Sequence, residues 1–225
     1  MGRIARVVVP GMAHHVTQRG NRRQEVFFGG DDYSAYLSLM KEWCDCHGVR
    51  VWAYCLMRNH VHLVLVPPSE AALCRAVGEA HRRYTRRINF REGWRGHLWQ
   101  GRFCSFVMDE PYLMAATRYV ERNPVKAKLV SVAEDWPWSS AAGHVAGRGD
   151  AVAEGEWLTE RTAGWVCPWR EYLQAEDDAG LADLLGRHEN TGRPLGERSF
   201  VQRVGRLLGR NLAPKKPGPK RKEEN

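Results

Sequence analysis

The 225-residue chain has no long hydrophobic run. Its apolar stretches, such as Val61 to Pro68, fall far short of the roughly 20 residues a membrane-spanning helix needs. An integral membrane protein is therefore not expected. The N-terminus makes a poor secretion signal, since Arg3 and Arg6 precede only Val7-Val8-Val9 before Pro10, so a secreted protein is not expected. Six cysteines are present, but none has C-x-x-C spacing. Cys44-Asp45-Cys46-His47 has no partner cluster, so neither a zinc site nor a disulfide scaffold is expected. Reduced thiols in a cytoplasm are the default. A phosphate-binding G-x-x-x-x-G-K-[ST] loop is missing, which argues against nucleotide-driven chemistry. No internal repeat is legible.

What remains is a globular balance, 43% hydrophobic and 27% charged, with an excess of base. Lysine plus arginine number 34 against 26 acidic residues, net +8. The charge is unevenly spread. Residues 1–130 carry net +9, residues 131–192 net −8, and residues 193–225 net +7. A basic body with a basic tail attracts polyanions, nucleic acid first.

Hydrophobic periodicity predicts alternating strands and helices. Val7–Val9 and His15–Gln18 read as an early strand region, followed by a basic turn over residues 19–23. Asp31-Asp32 can cap a helix with apolar positions at Tyr33, Tyr36, Leu37 and Met40, ending at His47-Gly48. Strands follow over Val49–Tyr54 and His60–Val66, with a turn at Arg58-Asn59. Ser69 caps a helix to about Ile88 that carries Arg82, Arg83, Arg86 and Arg87. Phe103–Met108 reads as a short strand. Asp109 caps a helix, with Pro111 in its first turn, that runs to Asn123-Pro124 with a brief continuation through Lys128. Trp136–Ser140 marks a turn. We expect a main domain over residues 1–140, an acidic connecting segment over 141–192 with weak helical signals, and a basic extension over 193–225. In that extension, Glu197–Leu208 reads as a helix and the last dozen residues as a disordered tail.

Two local features carry chemistry. His60 and His62 flank Val61, and side chains alternate along a strand, so both imidazoles project from one face. Val61, Leu63 and Leu65 project from the other, the natural core face. Two such imidazoles can converge on one metal ion and leave positions for a substrate oxygen. They can equally be histidines on a half-exposed strand. Tyr119 and Asn123 are spaced i, i+4 and share a helix face. A phenol becomes a useful nucleophile beside a metal-bound phosphate; the alternative is a core tyrosine and a helix-ending asparagine.

Together these segments resemble the single-tyrosine transposases of the histidine–hydrophobic–histidine (HUH) class. In chain order the residues are His15–Arg22 (H-V-T-Q-R-G-N-R), Leu56–Leu65 (L-M-R-N-H-V-H-L-V-L), Trp99–Phe103 (W-Q-G-R-F) and Tyr119–Ala127 (Y-V-E-R-N-P-V-K-A). The likeness covers about residues 5–140. The asparagine-proline after the tyrosine and Gly192-Arg193-Pro194-Leu195-Gly196 resemble the REP-associated branch. Asn123 departs from the mobile insertion-sequence pattern, where glutamine is expected; it offers the same amide oxygen on a shorter arm.

The resemblance implies an α/β (α+β) fold: an antiparallel sheet flanked by helices, an HUH-nuclease, ferredoxin-like core with a helical and basic C-terminal extension. It implies a metal-dependent endonuclease and strand transferase for single-stranded DNA hairpins from repetitive extragenic elements. Tyr119 would attack to give a 5′-phosphotyrosine, with His60, His62 and Asn123 holding Mg²⁺ or Mn²⁺. Arg19, Arg22, Arg23, Arg82, Arg83, Arg86, Arg87 and Arg102 are the candidate phosphate contacts. Trp94 and Trp99 can stack on bases or pack in the core. A monomer or homodimer in a bacterial cytoplasm, at the nucleoid, is implied. The rival reading is a non-catalytic DNA-binding regulator of repeats on the same fold; a metal hydrolase of small phosphate esters fits the charge less well.

Overall fold

A computed structural model describes residues 4–164, 167–175 and 179–213. The chain runs β1 (His14–Arg19), α1 (Gly30–Cys46), β2 (Arg50–Met57), β3 (His60–Val66), α2 (Glu70–Glu92), β4 (Cys104–Val107) and α3 (Glu110–Lys126). Five shorter helices follow: α4 (Ala141–Val145), α5 (Glu156–Thr162), α6 (Trp169–Gln174), α7 (Leu181–Thr191) and α8 (Arg198–Leu207). The strands form one sheet in the order β2-β3-β1-β4, every pair antiparallel. This βαββαβ order is the expected ferredoxin-like core.

Local chemistry sets most boundaries. Ser69 caps α2, its Oγ accepting from Ala72 N at 3.1 Å, and Asp109 caps α3, accepting from Tyr112 N at 3.2 Å. The α1 start differs from expectation. Gly29 is the cap, and Asp31 and Asp32 lie in the first turn, where carboxylates favour the helix dipole. Asp32, almost fully buried, accepts from Phe28 N at 2.9 Å and binds the Arg91 guanidinium at 2.5 Å. Arg91 lies in the last turn of α2, which runs beyond Ile88 until Gly93 adopts φ 66°. Only His14–Arg19 of the early strand region is ladder-paired; the Val9 N–H donates instead to His14 Nε2 at 3.1 Å. Gly20 closes β1 where a Cβ would lie 2.3 Å from the Gln24 carbonyl oxygen, so only glycine fits.

The two sheet faces bury different cores. Val61, Leu63 and Leu65 pack under α1 and α2 with Tyr36, Met40, Leu73, Val77 and Tyr84. Val64, Val66 and Phe106 pack on the other face under α3, with Leu113, Ala116 and Val120. Trp157, Leu158, Trp169, Leu173 and Leu185 of α5–α7 join that second core. The described residues of 141–192 thus carry four short helices, α4 to α7, and α5 to α7 contribute to the second core. Cys55 bridges Ser139, and Leu56 N donates to Trp138 O at 2.9 Å, tying the Trp136–Ser140 turn along the β2 edge. A third cluster sets Val7 and Val9 against Phe200 and Val204 of α8, and Leu212. The expected disordered tail, residues 214–225, lies outside the described residues. Among the described residues no helix is long and apolar enough to cross a membrane.

Candidate nuclease site

The site sits at the end of the sheet where β3 begins. His60 and His62 share the α3 face of β3, paired in register with Arg19 and Thr17 of β1. Their ring centroids are 5.0 Å apart. His60 is half-buried and His62 only 4% exposed. Asn59 Nδ2 donates to Arg23 O at 3.0 Å, which fixes the amide and turns Oδ1 to His60 Nδ1 at 2.6 Å. His60 Nδ1 is then the donor, and Nε2 keeps the lone pair.

His62 has a partner that the sequence reading did not assign to the site. His15 on β1 stacks on it, with centroids 5.3 Å apart and planes 3° from parallel. Its Nε2 lies 3.1 Å from His62 Nδ1. All three rings resist protonation. Burial, then the Arg19 guanidinium, lowers His60 from 6.5 to about 4; burial lowers His15 to about 3. Burial, reinforced by His60, His15 and Arg19, holds His62 well below 6.5. Neutral imidazole is the ligand form.

Tyr119 comes from α3. Its ring meets His62 edge-on, centroids 5.8 Å apart, and the Lys126 ammonium lies 4.4 Å above its face. Asn123, one turn on, uses its amide within the helix. Its Nδ2 donates to Tyr119 O at 2.8 Å and Val120 O at 3.3 Å. The reason is Pro124, which α3 runs through rather than stopping before. Proline has no N–H for the carbonyl four residues back, and that carbonyl belongs to Val120. The Asn123 side chain supplies the missing donor.

A cavity of about 260 Å³ opens beside the histidines. It is lined by His60, His62, Thr17, Gln18, Arg19, Gln100, Arg102 and Cys104, and by Glu189 and Asn190 of α7. Asn123 is not among its described lining residues. Glu189 Oε1 stands 3.8 Å from His15 Nδ1, a buried nitrogen that has no hydrogen-bond partner among the described residues. With His15 held neutral, this approach is not an ion pair. Burial raises the Glu189 carboxyl to about 7, against the opposing pull of Arg19. One ligand atom each from His15, His62 and Glu189 lie within 4.8 Å of one another. A buried unpartnered nitrogen, neutral imidazoles and a carboxylate suit a divalent cation.

The candidate phosphate contacts fall into two groups. Arg19 and Arg102 line the histidine cavity. Arg102 also lines a neighbouring cavity of about 460 Å³, with Arg82, His97 and Trp99. Arg82 in turn joins a groove with Arg86, Phe90, Trp94 and Arg95. Arg102 is shared by the first two hollows and Arg82 by the last two, so the three adjoin as a basic track. Arg22 and Arg23 are exposed in left-handed conformation, φ 53° and 62°, at the turn that the Asn59 side chain holds. Arg83 stacks over Trp43 at 4.6 Å, and Arg87 is exposed beside it on α2. Trp99 is core, stacked on His81 at 4.8 Å, whereas Trp94 is 44% exposed. Phe90, 92% exposed among these arginines, was not singled out from the sequence.

Comparison with known proteins gives the following. Residues 8–123, just over half of the chain, match the family described as "Transposase IS200 like". A curated Haemophilus influenzae protein, described as a REP-associated tyrosine transposase, is 26% identical over 121 residues, 49% of this chain and 69% of that one. A solved REP-associated tyrosine transposase bound to a REP hairpin superposes with a TM-score of 0.56 at 20% identity, covering 65% of this chain and 86% of that chain. At that identity the match establishes the fold.

Proposed function

The chain belongs to the IS200-like transposase family, whose function is transposase-like DNA processing, and on that premise we propose that it cuts and rejoins single-stranded DNA at hairpin-forming repeats. Tyr119 is the nucleophile. Its Oη attacks a phosphorus, the bond from phosphorus to the 3′ oxygen breaks, and the phenol proton passes to solvent while the leaving oxygen takes one up. The products are a 5′-phosphotyrosine and a free 3′-hydroxyl. The covalent link retains the phosphodiester energy, so a 3′-hydroxyl can reverse the step and join a new strand.

His60 and His62 would hold Mg²⁺ or Mn²⁺, with the Asn123 Oδ1 as the amide donor the resemblance implies. When bound, the ion supplies Lewis-acid stabilisation of charge on a non-bridging phosphate oxygen. Asn59 orients His60, and Lys126 over the Tyr119 ring favours its developing phenolate. Arg19 and Arg102 neutralise the scissile phosphate, and the strand continues along the track past Arg82 and Arg86. Arg22, Arg23, Arg83 and Arg87 add backbone contacts at its margins. Residues 1–140 carry the chemistry on this reading, and the basic extension from 193 adds backbone affinity.

The observation that carries the proposal is the Tyr119 ring set edge-on against His62, a histidine that itself lines the basic cavity. The relative solved with a REP hairpin supports the hairpin substrate. The test mixes protein, Mn²⁺ and labelled hairpins from repeats flanking its own gene, then resolves label on a denaturing gel. A metal-dependent adduct, abolished in Tyr119→Phe with hairpin binding intact, is the expected result. Tight binding without adduct would leave the non-catalytic regulator instead. An adduct that persists in Tyr119→Phe would move the role to another tyrosine, Tyr112 first.

A further inference from the structure

We propose that Glu189, delivered by α7, is a carboxylate ligand of the same divalent ion, and that His15 is the positioning residue joining it to His62. The inference rests on the metal reading above and adds a ligand from outside the segment that resembles the family.

The donor chemistry is the first argument. Two imidazoles alone suit zinc or nickel as well as magnesium or manganese. A carboxylate oxygen shifts the set towards hard, oxygen-preferring ions. Glu189 is the acidic residue lining the histidine cavity. Asn123 is the weaker third donor, because it is not among the residues lining that cavity.

The second argument is proton placement. If His62 turns the lone pair of Nε2 to the ion, its Nδ1 carries the proton. That proton is donated to His15 Nε2, 3.1 Å away. His15 then carries its own proton on Nδ1, the buried nitrogen that stands without a partner 3.8 Å from Glu189 Oε1. One tautomer of each ring therefore aims a donor at the carboxylate. Ligating histidines are typically fixed in this way by a neighbour on the far nitrogen.

The helix is also held at the right height. Gly192 ends α7 at φ 70°, its N–H donating to His188 O at 2.7 Å. His188 Nδ1 meets Arg193 O at 2.9 Å, and Leu185, one turn before Glu189 on the same side of α7, is buried in the core. Glu189 is thereby placed over the sheet end by packing made elsewhere in the C-terminal region.

The test is a Mn²⁺ titration of the metal-free full chain, with free ion read by electron paramagnetic resonance. Wild type is compared with Glu189→Gln, Glu189→Asp, Asn123→Ala and His62→Ala. Glu189→Gln should weaken Mn²⁺ at least about tenfold, the scale set by residues around metal sites. Glu189→Asp should recover part of the loss, and Asn123→Ala should cost less than Glu189→Gln. Full affinity in Glu189→Gln, with binding lost in His62→Ala, would overturn this inference alone. No saturable binding by wild type would overturn the metal reading and this inference with it. A Glu189→Gln chain that keeps its Mn²⁺ affinity but binds hairpins more tightly would make the carboxylate a stand-in for phosphate, which also overturns the proposal.

Discussion

The two faces of β3 are made by alternate residues of one seven-residue strand, yet they do opposite things. On one face Val61, Leu63 and Leu65 are fully buried and touch only a close-packed apolar core. On the other, Val64 and Val66 start the same way, but His60 and His62 continue the row into a cavity. That face accepts buried polar atoms, including a His15 nitrogen with no described hydrogen-bond partner. An unmet buried donor costs about 1–3 kcal/mol. Unmet buried donors also stand on the apolar side, at Trp43 Nε1 and Trp99 Nε1, so what sets the α3 face apart is its row of histidines opening on a basic cavity, the candidate site.

Exchanging the damage between the faces gives the largest contrast. His62→Ala should abolish the DNA adduct while the chain still unfolds cooperatively. Leu63→Ala should do the reverse: about 2–5 kcal/mol of stability lost, with adduct per folded molecule unchanged. Denaturant melts run beside the gel assay read both. An adduct lost in Leu63→Ala at full folding would break the contrast.

Next in size is the buried network on the α3 side. Glu121 accepts from Ser140 Oγ at 2.6 Å, meets His144 Nδ1 at 2.5 Å and accepts from Trp169 Nε1 at 2.8 Å. It ties the tyrosine helix to the acidic segment. Glu121→Leu removes one buried partner from each of Ser140, His144 and Trp169 and should cost about 3–5 kcal/mol, the scale for breaking a buried pair. A chemical melt checks this. A loss under about 1 kcal/mol would mean that water replaces the carboxylate.

Acid should act through the buried histidines. Burial lowers His14 to about 4 and His15 and His81 to about 3. The unfolded chain takes up these protons near 6.5, so the folded state is disfavoured as pH falls from about 6.5 towards 4. His144 has the opposite sign. Burial alone would lower it, but the Glu121 carboxylate, joined by the Glu154 backbone and Asp150, raises it. Its contribution is whole below about 6.5 and is lost as pH rises through its folded value. Tm should therefore peak near neutrality, and His144→Gln should flatten the alkaline limb only. A Tm that climbs steadily into acid would refute the histidine argument.

The smallest effects lie on the track. Arg86→Ala should lower the salt slope of hairpin binding by about 0.7, the value per phosphate on single strands. Phe90→Ala should weaken binding by about 1–3 kcal/mol if a base stacks there, without altering that slope. Equal slopes in wild type and Arg86→Ala would remove that arginine from the phosphate path.

Much of the core was legible because it is written in short-range code. Ser69 and Asp109 cap the helices they were expected to cap, and His60–Val66 is a strand as read. Each signal needs only a few neighbouring residues. Past Pro124 the helix makes the brief continuation expected of it, ending at Lys126, because the Asn123 amide covers the orphaned carbonyl. The departures come from contacts that are distant in the chain. Val7–Val9 has strand composition but finds its partners in Phe200 and Val204, almost 200 positions on. The acidic segment looked like a connector because its anchors, Trp157, Trp169 and Leu185, stand far apart in a polar background.

The sequence by itself determined that two imidazoles share one face of a strand and that Tyr119 and Asn123 share one face of a helix, because backbone periodicity fixes both. It also determined the basic surplus that favours a polyanion. Only the tertiary structure decided that His15 stacks on His62 and that Glu189 reaches their cavity. Strand register and the seating of α7 depend on many weak apolar contacts summed across the chain, and no local pattern records that sum.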